Sequence, residues 1–388
     1  MSHVNTVYNQ LLQIFPRHEF DKLVVRHDGD RYVKEFTCWR QFITLLYAQV
    51  RGHDSLRDIV TGLGAQSGKW YHIGLNSVAR STLSDANNSR DWRIFEGLFY
   101  SLYERCRAMA PGHKFKFKNG LYSLDASIID LCLSVFPWAK YRKTKGALKL
   151  HCLLDHRGCI PAFVTVTQGK PHDVKVAKEL DLPLLPDSII ALDRGYIDFK
   201  YLHSIHSGGC FFVTRAKKNF QFEITGQHKI PNVKGLLDDV AIRPTGFYQA
   251  KDYPEELRLI TWYDEAQDRI FWFLTNNFKL AASTIAAIYK DRWQVELFFK
   301  WIKQNLKIKS FLGTSPNAVM TQIWVAMCYY LLLAYVKYQT RYRYSLLNLA
   351  RIFNETLMER VSLIDLLSLN PNQGFKNIRA PSPQLELF

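Results

Sequence analysis

The stretch IYKDRWQVELFFKWIK, residues 288–303, combines apolar and charged residues in a pattern that decides between two interpretations of the chain. Projected as one α-helix at about 100° per residue, four polar side chains fall within about 60° of one another, well away from the apolar side. These four are Tyr289, Arg292, Glu296 and Lys303. An amphipathic helix with a solvated charged face explains this pattern as well as a functional face does, so the rest of the chain must decide.

The overall charge indicates a polyanionic partner. The 388-residue chain has a formal net charge of +16 and a pI of about 9.4. Residues 1–110 contribute +3 of this charge and residues 111–388 contribute +13, so the excess lies in the later part. With 47% hydrophobic and 14% aromatic residues, the chain is expected to be globular. A basic globular protein of this kind is expected to bind nucleic acid or an anionic membrane surface.

Membrane association is the less favoured of these two options. The most apolar run, IWVAMCYYLLLAYV (323–336), has 14 residues and is shorter than a bilayer span, which predicts a buried helix. The N-terminus lacks the basic and then apolar pattern of a signal peptide. The seven cysteines include no CxxC pair, which favours reduced thiols over a zinc site or disulfides. We therefore expect a cytoplasmic protein that acts on nucleic acid.

The chain divides into helical flanks around a mixed central part. Residues 1–110 are expected to be helical, with one helix ending at Gly52. A short helix, a turn and a second helix bearing Arg80 and Arg90 are compatible with a module that recognises DNA ends. They are equally compatible with a plain helical bundle. Residues 316–388 are expected to be helical and to end in a loose tail rich in proline and serine. These helices are candidates for dimerisation.

The central part is expected to contain a sheet with helices packed on it. Residues 111–216 carry three strand-like runs, then a helix, a strand, a helix and a strand, and residues 113–118 alternate lysine with phenylalanine as an edge strand would. Residues 217–280 are β-rich, and residues 281–315 hold the helix described first. The predicted fold is α/β with a mixed sheet: a ribonuclease H-like core with a β-rich insertion, flanked by helical regions.

Two aspartates stand at positions where a rigid strand would fix their oxygens. Asp125 lies inside the apolar run LYSLDASII, and Asp193 ends the run SIIAL. Taken alone, a buried ion pair explains Asp125 and a turn or helix cap explains Asp193. Phosphoryl transfer with two metal ions needs about three carboxylates from separate elements, because Mg²⁺ prefers hard oxygen ligands. Glu296 would be the third.

The spacing Tyr289-x2-Arg292-x3-Glu296-x6-Lys303, together with Asp125 in YSLDAS and Asp193 in ALDRGY, resembles the signature of the IS-four family of bacterial insertion-sequence transposases. The resemblance covers about residues 120–310. It implies a cut-and-paste DDE enzyme with a ribonuclease H-like core and a β-rich insertion before the glutamate. Asp125, Asp193 and Glu296 would then be the catalytic, metal-binding acids.

The same resemblance implies the cofactor, the partners and the chemistry. Two Mg²⁺ ions, replaceable by Mn²⁺, would activate water to nick a transposon end, and the freed 3′-hydroxyl would form a hairpin before strand transfer. The partners would be double-stranded DNA, as terminal inverted repeats and target, and a second copy of the chain in the synaptic complex. Tyr289, Arg292 and Lys303 would hold phosphates near the cleaved bond.

Further DNA contacts are expected around this centre. Trp293 is the first candidate to stack on an unpaired base in a hairpin, and Trp272 is the second, although a buried core position suits Trp272 better. Lys300 lies beside the polar patch of the helix. The basic run KYRKTKG (140–146) suits a phosphate-contacting loop or a solvated one. Its candidate residues are Arg142, Lys143 and Lys145.

Two other functions remain open at this point. Another ribonuclease H-like nuclease would explain three acids, but not the spacing of tyrosine, arginine, glutamate and lysine. A domesticated DNA-binding protein would keep the fold without cleaving DNA. The presence of all three acids and of their three polar partners favours an active transposase over both.

Overall fold

Seven helices form the described N-terminal region. The structure, a computed structural model, describes residues 5–142, 145–168, 172–217, 219–229, 231–308 and 310–368. The helices are α1 (Val7–Leu12), α2 (Arg17–Arg26), α3 (Cys38–Arg51), α4 (Leu56–Gly64), α5 (Trp70–Ile73), α6 (Arg80–Ser89) and α7 (Arg93–Met109). Gly52 follows α3 in the left-handed region with φ 70°, a conformation that costs glycine little, so the predicted helix end is confirmed.

The chain then forms the core of a mixed sheet. Its elements are β1 (Leu121–Leu131), β2 (Lys140–Arg142), β3 (Lys145–Asp155), β4 (Ile160–Gln168), α8 (Asp173–Glu179), β5 (Ile189–Leu192), α9 (Phe199–Ser207) and β6 (Phe211–Arg215). The strand order is β4-β3-β1-β5-β6, with β1, β5 and β6 parallel and β3 antiparallel to β1 and β4. A three-stranded antiparallel meander continued by two parallel strands is the ribonuclease H-like arrangement, as expected.

The β-rich segment extends this sheet. It comprises β7 (Phe222–Gln227), β8 (Leu236–Pro244), α10 (Phe247–Asp252), β9 (Leu257–Asp264) and β10 (Arg269–Thr275). Strand β10 pairs antiparallel with β6, and β9, β8 and β7 follow in order, so ten strands of the described chain belong to one sheet. Between β8 and β9, the buried Arg258 binds Asp239 with Nη2–Oδ2 and Nε–Oδ1 distances of 2.6 and 2.8 Å.

The stretch at 288–303 is divided between two helices. Helix α11 (Ala282–Asp291) ends one residue before α12 (Trp293–Asn305), and Arg292 stands between them with its N–H shared by the carbonyls of Ile288 and Tyr289. The expectation of one unbroken helix over residues 288–303 is therefore wrong. Because Arg292 keeps helical torsion angles, the spacing from Arg292 to Glu296 still places the two side chains together.

Three helices complete the described chain: α13 (Pro316–Gln339), α14 (Leu346–Thr356) and α15 (Leu363–Ser368). Helix α13 has 24 residues, more than the 14 of its apolar run, and is long and apolar enough to cross a membrane. Its side chains are nearly all buried within the fold, and it packs against α3, α7 and α14. This burial agrees with the predicted core helix. The expected loose tail after residue 368 lies outside the described residues.

One face of the sheet carries the groups of interest. Side chains alternate between faces along a strand. Leu121, Ile189 and Val213 therefore share a face, and they pack against Ile285 and Ile288 of α11 in a second, smaller core. The larger core includes side chains on both faces of β3 together with the N-terminal and C-terminal helices. Helix α12 packs on β1 and β3.

The segment before β1 is not an edge strand. Residues 114–117 form bends and residues 113–118 contain no strand, which contradicts the strand that the alternation of lysine and phenylalanine predicted. The rings of Phe115 and Phe117 stack at 5.4 Å between centroids and pack together on the smaller core. Lys114 Nζ lies 5.5 Å from the centroid of the Phe115 ring and 2.6 Å from Asp291 Oδ1. A strand would also place these two rings on one side, so the rings do not distinguish the two conformations; the segment differs from an edge strand because it forms bends and belongs to no strand of the described sheet.

Candidate active site

The sheet register brings the two aspartates side by side. Strands β1 and β5 run parallel with Leu124 opposite Leu192. Asp125 and Asp193 each follow these paired residues directly, so they lie next to each other on adjacent strands. Asp193 also receives a hydrogen bond on Oδ2 from the backbone of Gly195, at 3.1 Å, which fixes its carboxylate at the start of a 3₁₀ turn.

Arg292 lies between the two aspartates and the glutamate. Its Nη2 donates to Glu296 Oε1 at 2.6 Å and lies 4.0 Å from Asp193 Oδ1, and its Nη1 lies 3.5 Å from Asp125 Oδ2. The arginine side chain is only 10% exposed, whereas the carboxylates are 22–39% exposed. The three acids that the sequence singled out thus surround one guanidinium.

Among the described residues, the three carboxylates carry more negative charge than Arg292 balances. Burial raises the pKa of Asp125, and the neighbouring carboxylates of Asp193 and Glu296 raise it further. Two effects oppose this shift. The backbone N–H of Ala126 donates a hydrogen bond to Asp125 Oδ1 at 2.8 Å, and the positive charge of Arg292 stabilises the ionised carboxylate. The resulting pKa is about 6, so a further cation at this position would stabilise the ionised form.

The three carboxylates fit a hard divalent cation, although the guanidinium of Arg292 lies at the position that the cation would take. Three carboxylates from two strand ends and one helix are the oxygen ligands that such a cation takes. In the part of the chain that the structure describes, no group of three or more His, Cys, Asp or Glu side chains is placed to hold a metal ion. The guanidinium of Arg292 lies where their oxygens converge. Asp125, Asp193 and Glu296 would hold a cation there once Arg292 gives way.

A second arginine stands one strand further along. Ala191 on β5 pairs with Val213 on β6, so Arg215 lies beside Asp193 at the same level of the sheet. Its guanidinium lies 5.5 Å from the ring of Phe271 and 5.6 Å from that of Tyr289. Its buried Nε has no hydrogen-bond partner within the described residues. Held by two rings, Arg215 is available to an anion near the carboxylates.

Tyr289 belongs to the same cluster. Its ring packs on Phe273 with 5.2 Å between centroids, and the guanidinium of Arg292 lies 5.7 Å from it. Burial raises the pKa of the Tyr289 hydroxyl, while Arg215 and Arg292 act in the opposite direction. The tyrosine therefore links the two arginines that border the carboxylates.

A groove extends from Arg194, the residue after Asp193, along the β9–β10 hairpin. Its walls carry three arginines and three aromatic rings. They are Arg194, Arg215, Arg269, Tyr263, Phe271 and Trp272. Trp272 is 41% exposed, so the buried core position that the sequence favoured for it is wrong. An aromatic side chain in a basic groove can stack on a base.

The remaining candidates on α12 differ in exposure. Trp293 is 56% exposed at the first position of the helix, directly after Arg292. Lys300 is exposed and Lys303 is half-buried. Trp293 and Lys300 are seven residues apart and so lie on one side of the helix, where they can reach a common partner.

The two N-terminal arginines have different environments. Arg80 is exposed at the start of α6 and lines a groove with Ser55 of the α4 N-terminus. Arg90 is only 8% exposed; it donates to Gln41 Oε1 at 3.2 Å and to the carbonyl of Phe36. The guanidinium of Arg90 is bound inside the helical region, so the prediction that it recognises DNA ends is wrong.

The basic run at 140–146 includes β2 and the start of β3. Arg142 pairs with Lys145, and Lys140 pairs with Gly146. Lys143 lies outside the described residues. The contact of this run with phosphate stays a prediction.

Several polar residues near the carboxylates escaped the sequence analysis. Arg215 follows the apolar run FFVT just as Asp193 follows SIIAL, and this repeated pattern was the available signal. Asp291, His156 and Ser123 form a buried hydrogen-bonded chain beside the site. Asp291 precedes Arg292 directly, but no local pattern distinguishes it from a surface acid.

Family comparisons agree with this geometry. Residues 116–332 match the family described as the transposase DDE domain. Since the match spans more than half of the chain, the protein belongs to the DDE transposases, enzymes that cleave DNA and transfer strands and depend on a divalent metal ion. Residues 3–76 match a domain of unknown function (DUF4372). The narrower IS-four assignment stays a prediction.

Individual relatives are also named as transposases. A Sinorhizobium fredii protein named as transposase y4zB is 32% identical over 288 residues, which are 73% of this chain and 79% of that protein. A Geobacillus stearothermophilus protein, named as the transposase of insertion sequence IS5377, is 27% identical over 279 residues, 72% of each chain. A solved piggyBac transposase synaptic complex with hairpin DNA is a distant likeness, with a TM-score of 0.46, 10% identity and coverage of 93% of this chain and 79% of that chain.

Proposed function

We propose that the protein moves an insertion sequence by cut-and-paste transposition, with Asp125, Asp193 and Glu296 as the catalytic acids. The convergence of these three carboxylates on one cation position, from two adjacent strand ends and one helix, is the observation that carries the proposal. Two Mg²⁺ ions, or Mn²⁺ in their place, would activate the attacking oxygen and stabilise the leaving one. The carboxylates would fix this chemistry at the C-terminal end of β5.

The groups around the acids suit the handling of a DNA strand. Arg292, Tyr289 and Lys303 would bind the phosphates next to the cleaved bond, and Arg215 would bind a phosphate one strand further on. Arg292 would exchange its carboxylate partners for a DNA phosphate when the metal ions enter. The groove from Arg194 to Trp272 would guide the strand away from the reacting phosphorus.

A hairpin intermediate is part of the proposal. A free 3′-hydroxyl can attack the opposite strand only if the DNA end bends tightly, which is easier when one base leaves the stack. Trp293, exposed beside Arg292, would stack on that base, and Trp272 in the groove would support it. Aromatic stacking of this kind contributes about 1–3 kcal/mol per base.

The flanking regions would bring two ends together. We propose that a cytoplasmic homodimer forms the synaptic complex, with exposed Arg80 at the start of α6 contacting the terminal repeat. Lys300 on α12 and the basic run at 140–146, with Arg142, Lys143 and Lys145, would contact flanking phosphates. The excess of positive charge after residue 110 supports such an extended DNA surface.

Cleavage of DNA that carries the element's own ends tests the proposal. We expect the wild type with Mg²⁺, but not with EDTA, to give nicks and then hairpins, which a denaturing gel separates by length. Glu296→Gln should bind the same DNA and cut neither strand. Nicks without hairpins would remove the hairpin step. Specific binding without any cut in Mg²⁺ or Mn²⁺ would support a DNA-binding protein that does not cleave.

A further inference from the structure

A buried chain of hydrogen bonds connects the strand of Asp125 to the helix end that precedes Arg292. Ser123 Oγ lies 2.7 Å from His156 Nε2, and His156 Nδ1 lies 2.9 Å from Asp291 Oδ2. Lys114 Nζ closes the chain at 2.6 Å from Asp291 Oδ1. Ser123 and the imidazole of His156 are almost fully buried, and Asp291 is 8% exposed.

The chain joins segments that are far apart in the sequence but meet at the active site. Ser123 lies two residues before Asp125, so both side chains point to the same face of the sheet. His156 sits in the turn after β3, and its backbone N–H donates to the carbonyl of Leu121 at 2.9 Å. Asp291 is the last residue of α11, directly before Arg292.

The hydrogen-bond directions are determined by Asp291. Burial raises the pKa of this carboxyl, but the hydrogen bonds from His156 and Lys114 outweigh burial and lower the pKa to about 2. Asp291 is therefore ionised and can only accept. His156 Nδ1 must then carry a proton, and in a neutral ring Nε2 accepts from the Ser123 hydroxyl. Such a chain fixes the rotation of the ring as well as its position.

The hydrogen-bonded chain reaches Asp291, where the helical segment is interrupted. At Arg292 the polypeptide passes from α11 to α12, and the orientation of α12 determines where Glu296 points. A buried charge is no general stabiliser, since apolar residues fill such a position equally well, but it specifies one arrangement. Here the arrangement specified is that of the Glu296 helix against the Asp125 strand.

We propose that Ser123, His156 and Asp291 are positioning residues that set the spacing between the carboxylates of Asp125 and Glu296 and so the affinity of the site for divalent metal ions. The inference rests on the proposed function of those carboxylates. None of the three touches DNA or metal in this account. They act through the backbone of β1 and the end of α11, as outer partners of a metal site do.

Direct binding of Mn²⁺ to the DNA-free full chain, followed by electron paramagnetic resonance, tests the inference. We expect His156→Phe, which keeps a ring but removes both hydrogen bonds, to weaken Mn²⁺ binding about tenfold, within the usual range for such partners. Ser123→Ala removes only one hydrogen bond and should weaken binding by a smaller factor. The Ser123→Ala variant keeps the test decisive if His156→Phe does not fold.

The control is a buried ion pair of the same kind, remote from the carboxylates. Asp239→Asn breaks the pair with Arg258 between β8 and β9, and should lower the melting temperature without changing Mn²⁺ affinity. Unchanged Mn²⁺ affinity in both His156→Phe and Ser123→Ala would overturn the inference. If Glu296→Gln also leaves Mn²⁺ binding unchanged, the proposed metal-binding function fails instead, so the two failures are distinguishable.

Discussion

Replacement of Arg292 by methionine should destabilise the metal-free protein and strengthen its binding of metal ions. The guanidinium is the cation nearest to all three carboxylates, at 2.6, 3.5 and 4.0 Å. Methionine keeps much of the apolar stem of the side chain but has no charge. The Arg292→Met variant therefore leaves Asp125, Asp193 and Glu296 facing one another without a counter-ion.

The size of the effect follows from these distances and from exposure. A charge pair at 4 Å is worth about 4 kcal/mol at an effective dielectric constant of about 20. Water screens the carboxylates, which are 22–39% exposed, and so weakens their attraction to the guanidinium. The methionine variant also no longer bears the free-energy cost of burying the arginine charge. We expect a net loss of about 2 kcal/mol, below the 3–5 kcal/mol typical of fully buried pairs. For a chain of this size, the melting temperature should fall by about 3 °C.

Thermal unfolding with EDTA and with Mn²⁺ measures both effects at pH 8. The variant should melt lower than the wild type in EDTA, and Mn²⁺ should raise its melting temperature by more than it raises that of the wild type, because ligand binding stabilises the folded state. Arg258→Met, which breaks the remote pair with Asp239, should also melt lower but gain nothing extra from Mn²⁺. A variant as stable as the wild type in EDTA, or with no larger response to Mn²⁺, would refute the reasoning.

Three further predictions concern single residues. Asp125 has a folded pKa of about 6 against 3.8 in a free side chain, so its contribution to stability is present below pH 4 and is lost as the pH rises through 6. Asp125→Asn should therefore be more stable than the wild type by about 2 kcal/mol at pH 8 in EDTA, with the difference vanishing near pH 4 in denaturant titrations. Trp293→Ala and, to a smaller degree, Trp272→Ala should reduce hairpins on denaturing gels while the first nick persists; equal loss of both products would exclude a stacking role. Arg80→Ala should weaken binding to end DNA at matched salt with an unchanged melting temperature, whereas Arg90→Ala should lower the melting temperature by several degrees; the reverse pattern would contradict the assignment of Arg90 to the helical core.

Local sequence patterns predicted much of the site. An acid inside or directly after an apolar run indicates a strand position, and this found Asp125 and Asp193. Spacing of four residues on a helix predicted that Arg292 and Glu296 meet, and their side chains are 2.6 Å apart. Both inferences need only neighbouring residues, because strand and helix periodicities are local properties.

Contacts between segments that are distant in the sequence could not be predicted from local patterns. Lys114 lies 177 positions from Asp291 and His156 lies 135 positions from it, so no periodicity connects them. The burial of Arg90 depends on how α6 packs against α3, and residues 113–118 alternate like a strand yet contain bends and no strand. Such features are determined by tertiary packing, which outweighs local propensity.

The most direct test of the account is single-turnover cleavage of labelled end DNA by matched acid variants in Mg²⁺. Asp125→Asn, Asp193→Asn and Glu296→Gln should each bind the DNA and show no cleavage. Asp130→Asn is the matched control, because Asp130 lies on the same strand, is exposed and belongs to the opposite face. The account predicts that Asp130→Asn cuts like the wild type. Cleavage at the wild-type rate by any of the three acid variants would contradict it.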